Sequence, residues 1–394
     1  MLNRLKDILA DFIQQADLVL LGLCSTATLY GIALVFSATR YMDSATGLRR
    51  MIIQCVALGL GVCVYIFFSM LDLESITRKW KWILAFNVVF ILLLRTPFGV
   101  AGNTGNRAWL KFPFVPFQIG PAEVVKITFV LLLAKQIEWL REEKEDLKSF
   151  GSALFVAAHT LGLCGLYFVV SHDMGNGLVF VFIFLCMAFV AGFALRWFLL
   201  LFAGAGGAIA AVLLLDLVPK NMNYMLNRFI VLFDHSFDPL GVGWQQTQSL
   251  LAIGSGGLYG QGYLSGSMTQ SRWSLPAKQT DLIFSVTGEE LGLFGCLAIM
   301  VLLLAIIFRI LLVARKARTP FYRYVCVGMA SILIFQTIIN IGMCLFVMPT
   351  IGITLPFFSY GGSSVVTLYM AMGVVSGIKK RSPDMRRVAR SPLR

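Results

Sequence analysis

Asp281 is the residue whose setting most suggests chemistry. It sits in Leu275-Pro276-Ala277-Lys278-Gln279-Thr280-Asp281-Leu282-Ile283-Phe284, between a long aromatic and glycine-bearing stretch and an apolar run. A carboxylate at such a boundary is placed to act as a general base toward a hydroxyl. The simpler use of the same residue is to cap the helix that follows. Glu123 and Lys126 are three apart, so they share one helix face and can pair. That pair either locks the helix, or leaves Lys126 facing a phosphate while Glu123 orients it or helps hold a cation. Asn106-Arg107-Ala108-Trp109-Leu110-Lys111 sets an aromatic face beside cations. This combination marks interfacial belts, and it also suits a sugar ring carried on a diphosphate.

Other groups are less pointed. Glu289 and Glu290 lie two turns beyond Asp281, where packing or a polar cavity would each account for them. The run Gly254-Ser255-Gly256-Gly257-Leu258-Tyr259-Gly260-Gln261-Gly262 lacks the Gly-Lys-Ser/Thr ending of a nucleotide loop. Tight backbone turns near a ligand are its more natural use. Gly204, Gly206 and Gly207 suggest close helix packing. The eight cysteines form no CxxC pair and read as small buried hydrophobes, and the three histidines are scattered, so no dedicated metal cage is expected.

The elements that must position these residues are membrane helices. Of 394 residues, 58% are hydrophobic and 13% charged, and the mean hydropathy is +0.80. Soluble domains hold about 45–50% apolar and about 25% charged residues, so a cytosolic globular enzyme, a disordered chain and a secreted disulfide scaffold are excluded. A helix crossing a bilayer needs about 20 apolar residues. That ruler predicts an all-α polytopic membrane protein with ten spans, over 18–38, 51–70, 81–95, 122–139, 152–170, 177–192, 196–216, 282–313, 324–347 and 363–378. No cleavable signal is evident. Segment 1–17 reads as an amphipathic stretch on the membrane surface.

Alternating the spans from a cytoplasmic N-terminus gives a two-to-one excess of Lys and Arg inside, so both termini are expected in the cytoplasm. The net charge of +13 then records topology rather than nucleic acid, and the basic tail 379–394 serves either to bind anionic lipid headgroups or as an ordinary stop-transfer signal. Two long segments fall outside, 96–121 after span 3 and 217–280 after span 7; their Trp, Phe, Gly and Pro content points to an outward-facing site.

Several motifs occur in the order of a known family. They are Asn106-Arg107-Ala108-Trp109, Pro121-Ala122-Glu123-Val124-Val125-Lys126, Gly254-Ser255-Gly256-Gly257-Leu258, Thr280-Asp281-Leu282-Ile283-Phe284 and Glu289-Glu290-Leu291-Gly292. The last and most specific runs from Pro349 through Pro356-Phe357-Phe358-Ser359-Tyr360-Gly361-Gly362-Ser363-Ser364. Over nearly its full length the chain resembles the SEDS proteins, the RodA/FtsW/SpoVE group. The resemblance implies a single SEDS membrane domain over 1–394 in the bacterial cytoplasmic membrane, and an inverting peptidoglycan glycosyltransferase that polymerises lipid II outside it.

In that family's pattern Asp281 is the essential acid. Trp109, Glu123, Lys126 and Asp173 fall on further positions of that pattern; together with Arg107, Arg228, Lys278 and Ser363 they are the expected substrate contacts. A class B penicillin-binding protein is the expected partner, and Mg²⁺ or Mn²⁺, held largely by the substrate diphosphate, the expected cofactor. Gly120-Pro121-Ala122-Glu123 and His172-Asp173-Met174-Gly175-Asn176 depart from the usual pattern. The short termini lean toward an elongation member. A flippase for lipid-linked precursors, a non-catalytic scaffold for the synthase and a lipid-linked sugar ligase are the competing readings.

Overall fold

The computed structural model describes residues 16–382, apart from 43, 102–105, 114–116, 144–146, 216–222, 235–236, 238–240 and 242. Segment 1–15, the tail from 383 and parts of the 217–280 segment therefore lie outside the described residues. Apolar runs separated by polar turns give a helical chain. In order, the helices are α1 (Leu18–Thr39), α2 (Ser44–Met70), α3 (Leu73–Arg78), α4 (Trp80–Leu92), α5 (Pro121–Glu143), α6 (Phe150–Ser171), α7 (Met174–Ala191) and α8 (Leu195–Leu214). They continue with α9 (Asn223–Phe233), α10 (Trp244–Gly256), α11 (Ser267–Gln270), α12 (Ile283–Arg315), α13 (Pro320–Cys344) and α14 (Gly362–Arg381).

A helix overlaps each of the ten apolar segments, and among the described residues six are long and apolar enough to cross a membrane: Leu18–Thr39, Ala45–Met70, Phe150–Ser171, Met174–Ala191, Ile283–Arg315 and Pro320–Cys344. The protein is a multi-pass membrane protein. The 96–121 segment folds into a two-stranded antiparallel hairpin, β1 (Gly99–Ala101) and β2 (Arg107–Leu110), and Leu110 then bridges to Ile119.

In a bilayer the hydrophobic effect does not pull helices together, so close approach and polar ties must do it. A side-chain carbon added at Gly373 or Gly377 of α14 would fall 2.6 Å from the Tyr65 carbonyl oxygen or 2.7 Å from that of Ser69, which is how closely α14 lies on α2. A polar tie closes one end of the bundle. Asp17 is wholly buried, caps α1 at Leu20, and receives Arg309 of α12 at 2.9 Å and Lys379 of α14 at 3.3 Å. Its own N–H donates to Ser376, and Tyr65 donates to its carbonyl.

At the other end α12 is broken at Gly292 (φ 65°, ψ −159°), and the glycine-rich run packs backbone to backbone on the break. Gln261 and Gly262 donate to the carbonyls of Glu289 and Glu290, and Leu293 donates back to Gly257. The run thus makes the turns its glycines suggest, against a helix that it completes. At Gly292 an added side-chain carbon would sit 2.4 Å from the Gly260 nitrogen. This backbone region is essentially closed to other residues, so Gly292→Ala is expected to cost about 1–3 kcal/mol or more. A lowered melting temperature in detergent is the expected reading; an unchanged one would refute it.

Two expectations need correction. Gly204, Gly206 and Gly207 face open space rather than a packed helix, because this face of α8 has no neighbour among the described residues. The eight cysteines, all free, divide: Cys24, Cys296, Cys326 and Cys344 are buried and Cys164 and Cys186 half-buried, whereas Cys55 and Cys63 are exposed on α2, where surrounding lipid would accept an apolar thiol.

Candidate functional site

The end of the bundle opposite Asp17 gathers most of the candidate residues. At the start of α5, Lys126 is buried and its ammonium lies 2.8 Å from Glu123 Oε1. It also donates to Asn176 Oδ1 at 3.3 Å. Asn176 in turn donates through Nδ2 to Asp173 Oδ2 at 2.8 Å, and Tyr167 donates to the same oxygen at 3.2 Å. Asp173 caps α7 by accepting from the Asn176 N–H, so its position follows from helix-end chemistry. Trp109, on the hairpin, lies over Gly120: a carbon added there would meet the indole at 3.1 Å and Glu123 Cγ at 3.4 Å. Ser363, at the start of α14, accepts from the Gly120 N–H at 3.3 Å and so ties α14 to α5. Arg107 is exposed on the same strand as Trp109.

Asp281 approaches this network through the 350–353 segment, where a carbon added at Gly352 would lie 4.0 Å from its Oδ2. The cap of α12 is Leu282, with no side-chain cap bond, so the Asp281 carboxylate is not spent on capping. It retains partial exposure. Burial of its surroundings pushes its pKa up to about 6, against the hydrogen bond from Thr280 and the charge of Arg228, which lower it, and with the charge of Asp173, which raises it. Arg228, from α9, donates to the Thr350 carbonyl, and Gly175 of α7 packs against the Ile351 carbonyl, so the 350–353 segment links Asp281 to the Asp173 network. The site therefore joins two groups of residues: Trp109, Glu123, Lys126, Asn176 and Asp173 on one side, Asp281 and Arg228 on the other.

Lys278 points away from both. It is buried, donates to the carbonyls of Thr269 (2.7 Å) and Ser271 (2.5 Å), and lies 3.6 Å from the centre of the Tyr41 ring. Burial pulls its pKa down to about 8. The loop's own carbonyls use the charge that was expected to contact substrate. Glu289 and Glu290 serve packing: Glu289 accepts from the Met268 and Thr269 N–H groups at 2.6 and 2.8 Å, and Glu290 takes the Ser37 hydroxyl at 2.6 Å. Tyr167, Asn176 and Asn340 are site residues that the sequence reading did not single out. Each is a polar side chain at or within an apolar span, which is the signal that was there to use.

Among the described residues, no three His, Cys, Asp or Glu side chains converge as a metal cage. The donor set does not fit a cation held by protein alone.

A many-helix membrane bundle with a second cluster of carboxylates and a buried lysine, apart from the Asp17 tie, defines a multi-pass membrane protein with a candidate polar site. The FtsW/RodA/SpoVE family model, described as a cell cycle protein, matches residues 17–383. The chain belongs to this family, the SEDS proteins. Similar curated sequences include the probable peptidoglycan glycosyltransferase FtsW of Geobacter metallireducens, 30% identical over 94% of this chain and 96% of the relative. Stage V sporulation protein E of Bacillus subtilis is 32% identical over 93% of this chain and 97% of its own. Among solved structures, a chain from a peptidoglycan synthase complex that coordinates polymerization and crosslinking superposes with a TM-score of 0.73 at 26% identity, over 93% of this chain and 98% of that one. The rod shape determining protein RodA of Thermus thermophilus gives 0.65 at 26%, over 94% and 98%.

Proposed function

We propose that this chain is a peptidoglycan glycosyltransferase that polymerises lipid II into glycan strands at the outer face of the bacterial cytoplasmic membrane. Family membership and the naming of its relatives support the activity. The observation that carries the reading is the Asp281 carboxylate: not spent on capping, and raised to about 6 by burial and the charge of Asp173 against the opposing charge of Arg228. A base of that strength is ionised at neutral pH and still able to take a proton from a hydroxyl as it attacks.

In the proposed reaction Asp281 accepts the proton of the 4-hydroxyl on the acceptor's N-acetylglucosamine. The oxygen attacks C1 of the donor's N-acetylmuramic acid from the opposite face, the C1–O bond to the diphosphate breaks, and undecaprenyl diphosphate leaves. Lys126, with Arg107 and Arg228, stabilises the charge that develops on the leaving group. Trp109 offers a flat apolar face to a sugar ring. Mg²⁺ or Mn²⁺ would travel with the diphosphate, whose oxygens supply most of its ligands.

The reading also places all ten helices across the bilayer, with both termini in the cytoplasm, the 217–280 segment outside and anionic lipid at Lys379, Lys380 and Arg381. A class B penicillin-binding protein is the proposed partner, as the likeness to a synthase-complex chain supports. Sequence relatives carry FtsW and sporulation names and a solved relative a rod-shape name, so the proposal is made for the family rather than for its elongation branch.

The test is polymerisation of purified lipid II by the detergent-solubilised protein, alone and with the transpeptidase, with moenomycin present to silence other polymerases. Long strands are expected. Transfer of lipid II across vesicles without strands would instead identify a flippase; partner binding alone would identify a scaffold.

A further inference from the structure

The main chain leading into Asp281 is held at three successive carbonyls, all by donors from the 340–360 region. The Tyr360 N–H donates to the Gln279 carbonyl at 2.8 Å. Ser359 Oγ donates to the Thr280 carbonyl at 2.6 Å. Asn340 Nδ2 donates to the carbonyl of Asp281 itself at 2.8 Å. The second proton of the same amide goes to the Ile353 carbonyl at 2.7 Å, so one buried side chain grips both segments that meet at the site.

The orientation of this amide is settled by its surroundings. Two carbonyl oxygens face it, and only the nitrogen end can satisfy them. Its own Oδ1 is buried without a partner, so packing alone would not favour an amide here. The donors are themselves anchored. Ser359 Oγ accepts from the Leu355 N–H at 2.8 Å, while Gln54 of α2, wholly buried, brackets the segment through the Ser359 carbonyl and the Gly361 N–H at 3.2 Å each. Beyond Asn340, α13 is fixed by Gln246, which donates to the carbonyls of Met343 and Met348, and by Ser249, which donates to that of Cys344.

We infer that Asn340 is a positioning residue for Asp281, acting through the main chain, and that Ser359 is its companion one residue earlier. This rests on the reading of Asp281 as the base. Both side chains bond main-chain carbonyls rather than the carboxylate. Together they fix where the carboxylate begins, and a displacement of about 1 Å at a reacting group can cost about 10²-fold in rate. The 349–364 motif then has a mechanical use: its Ser-Tyr pair and the amide opposite hold the strand that carries the base.

The experiment compares wild type, Asp281→Asn, Asn340→Leu and Ser359→Ala in lipid II polymerisation, with kcat and KM separated, the pH profile recorded and melting temperature followed. Asn340→Leu is expected to lower kcat by about 30- to 100-fold, leave KM within about twofold, and move the acid limb of the profile downward as water reaches a loosened Asp281. Ser359→Ala is expected to lower kcat about tenfold in the same pattern. A folded Asn340→Leu with wild-type kcat, or one with an unmoved acid limb and a loss shared between kcat and KM, overturns the inference. Should Asn340→Leu fail to fold, Ser359→Ala decides: unchanged kcat overturns it. If Asp281→Asn polymerises as well as wild type, the base assignment falls, and the inference with it.

Discussion

Asp281→Asn is expected to retain the fold and the partner complex while losing about 10²–10⁴-fold in polymerisation rate, the usual contribution of a positioned general base. The amide keeps the volume of the carboxylate and can still meet Thr280, but it cannot take a proton. The pH dependence follows from the same group. With its pKa raised to about 6, Asp281 is the base above that value and a neutral acid below it. kcat/KM should therefore fall about tenfold per pH unit as pH drops below about 6, where an ordinary aspartate would hold the rate to lower pH. Strand length on a gel across pH 4.5–8, for wild type and variant together, reads both effects. Wild-type rates that hold flat down to pH 5 would remove Asp281 as the titrating base.

The second large effect concerns Lys126. Its ammonium is almost wholly enclosed, and Glu123 beside it keeps only 12% of its side chain exposed. Breaking a buried pair by removing one member costs about 3–5 kcal/mol, because the other charge is left uncompensated. Lys126→Met should therefore lose both stability and activity. The informative variant is Glu123→Gln with Lys126→Met, which removes both charges. Thermal stability is expected to return toward wild type, while polymerisation stays down by about 10²-fold or more because no ammonium faces the diphosphate. Recovery of both would make the pair a helix lock and nothing further.

Much of this arrangement is legible in the sequence because two strong regularities carry it. Apolar runs of the right length locate the helices. A carboxylate and a lysine three apart can meet only on one face of α5. Asp281 also stands out, though its uncapped state does not: sequence alone cannot tell a cap from a free carboxylate, since both follow a polar loop and precede an apolar run. Lys278 shows a second limit of the sequence. It is among the expected substrate contacts, and its ammonium donates to the Thr269 and Ser271 carbonyls, which no local pattern announces. Asn340 escaped for a related reason. Its targets are 59 and 13 residues away in the chain, and a lone amide in an apolar helix gives no hint of which carbonyls it will reach.

The Asp17 cluster has a consequence for biosynthesis. The first described helix is fastened by a residue whose partners sit on α12 and α14, the Ser376 contact being 359 positions downstream. A ribosome adding about 5–20 residues per second needs roughly 20–70 s to reach from one to the other. Throughout that interval the lock at the head of α1 is incomplete, because Arg309 is made before Ser376 and Lys379 are. A chain stalled before α14 would lack the Ser376 and Lys379 contacts and keep an open seam at Asp17, so the order of synthesis makes this end of the bundle the last to close.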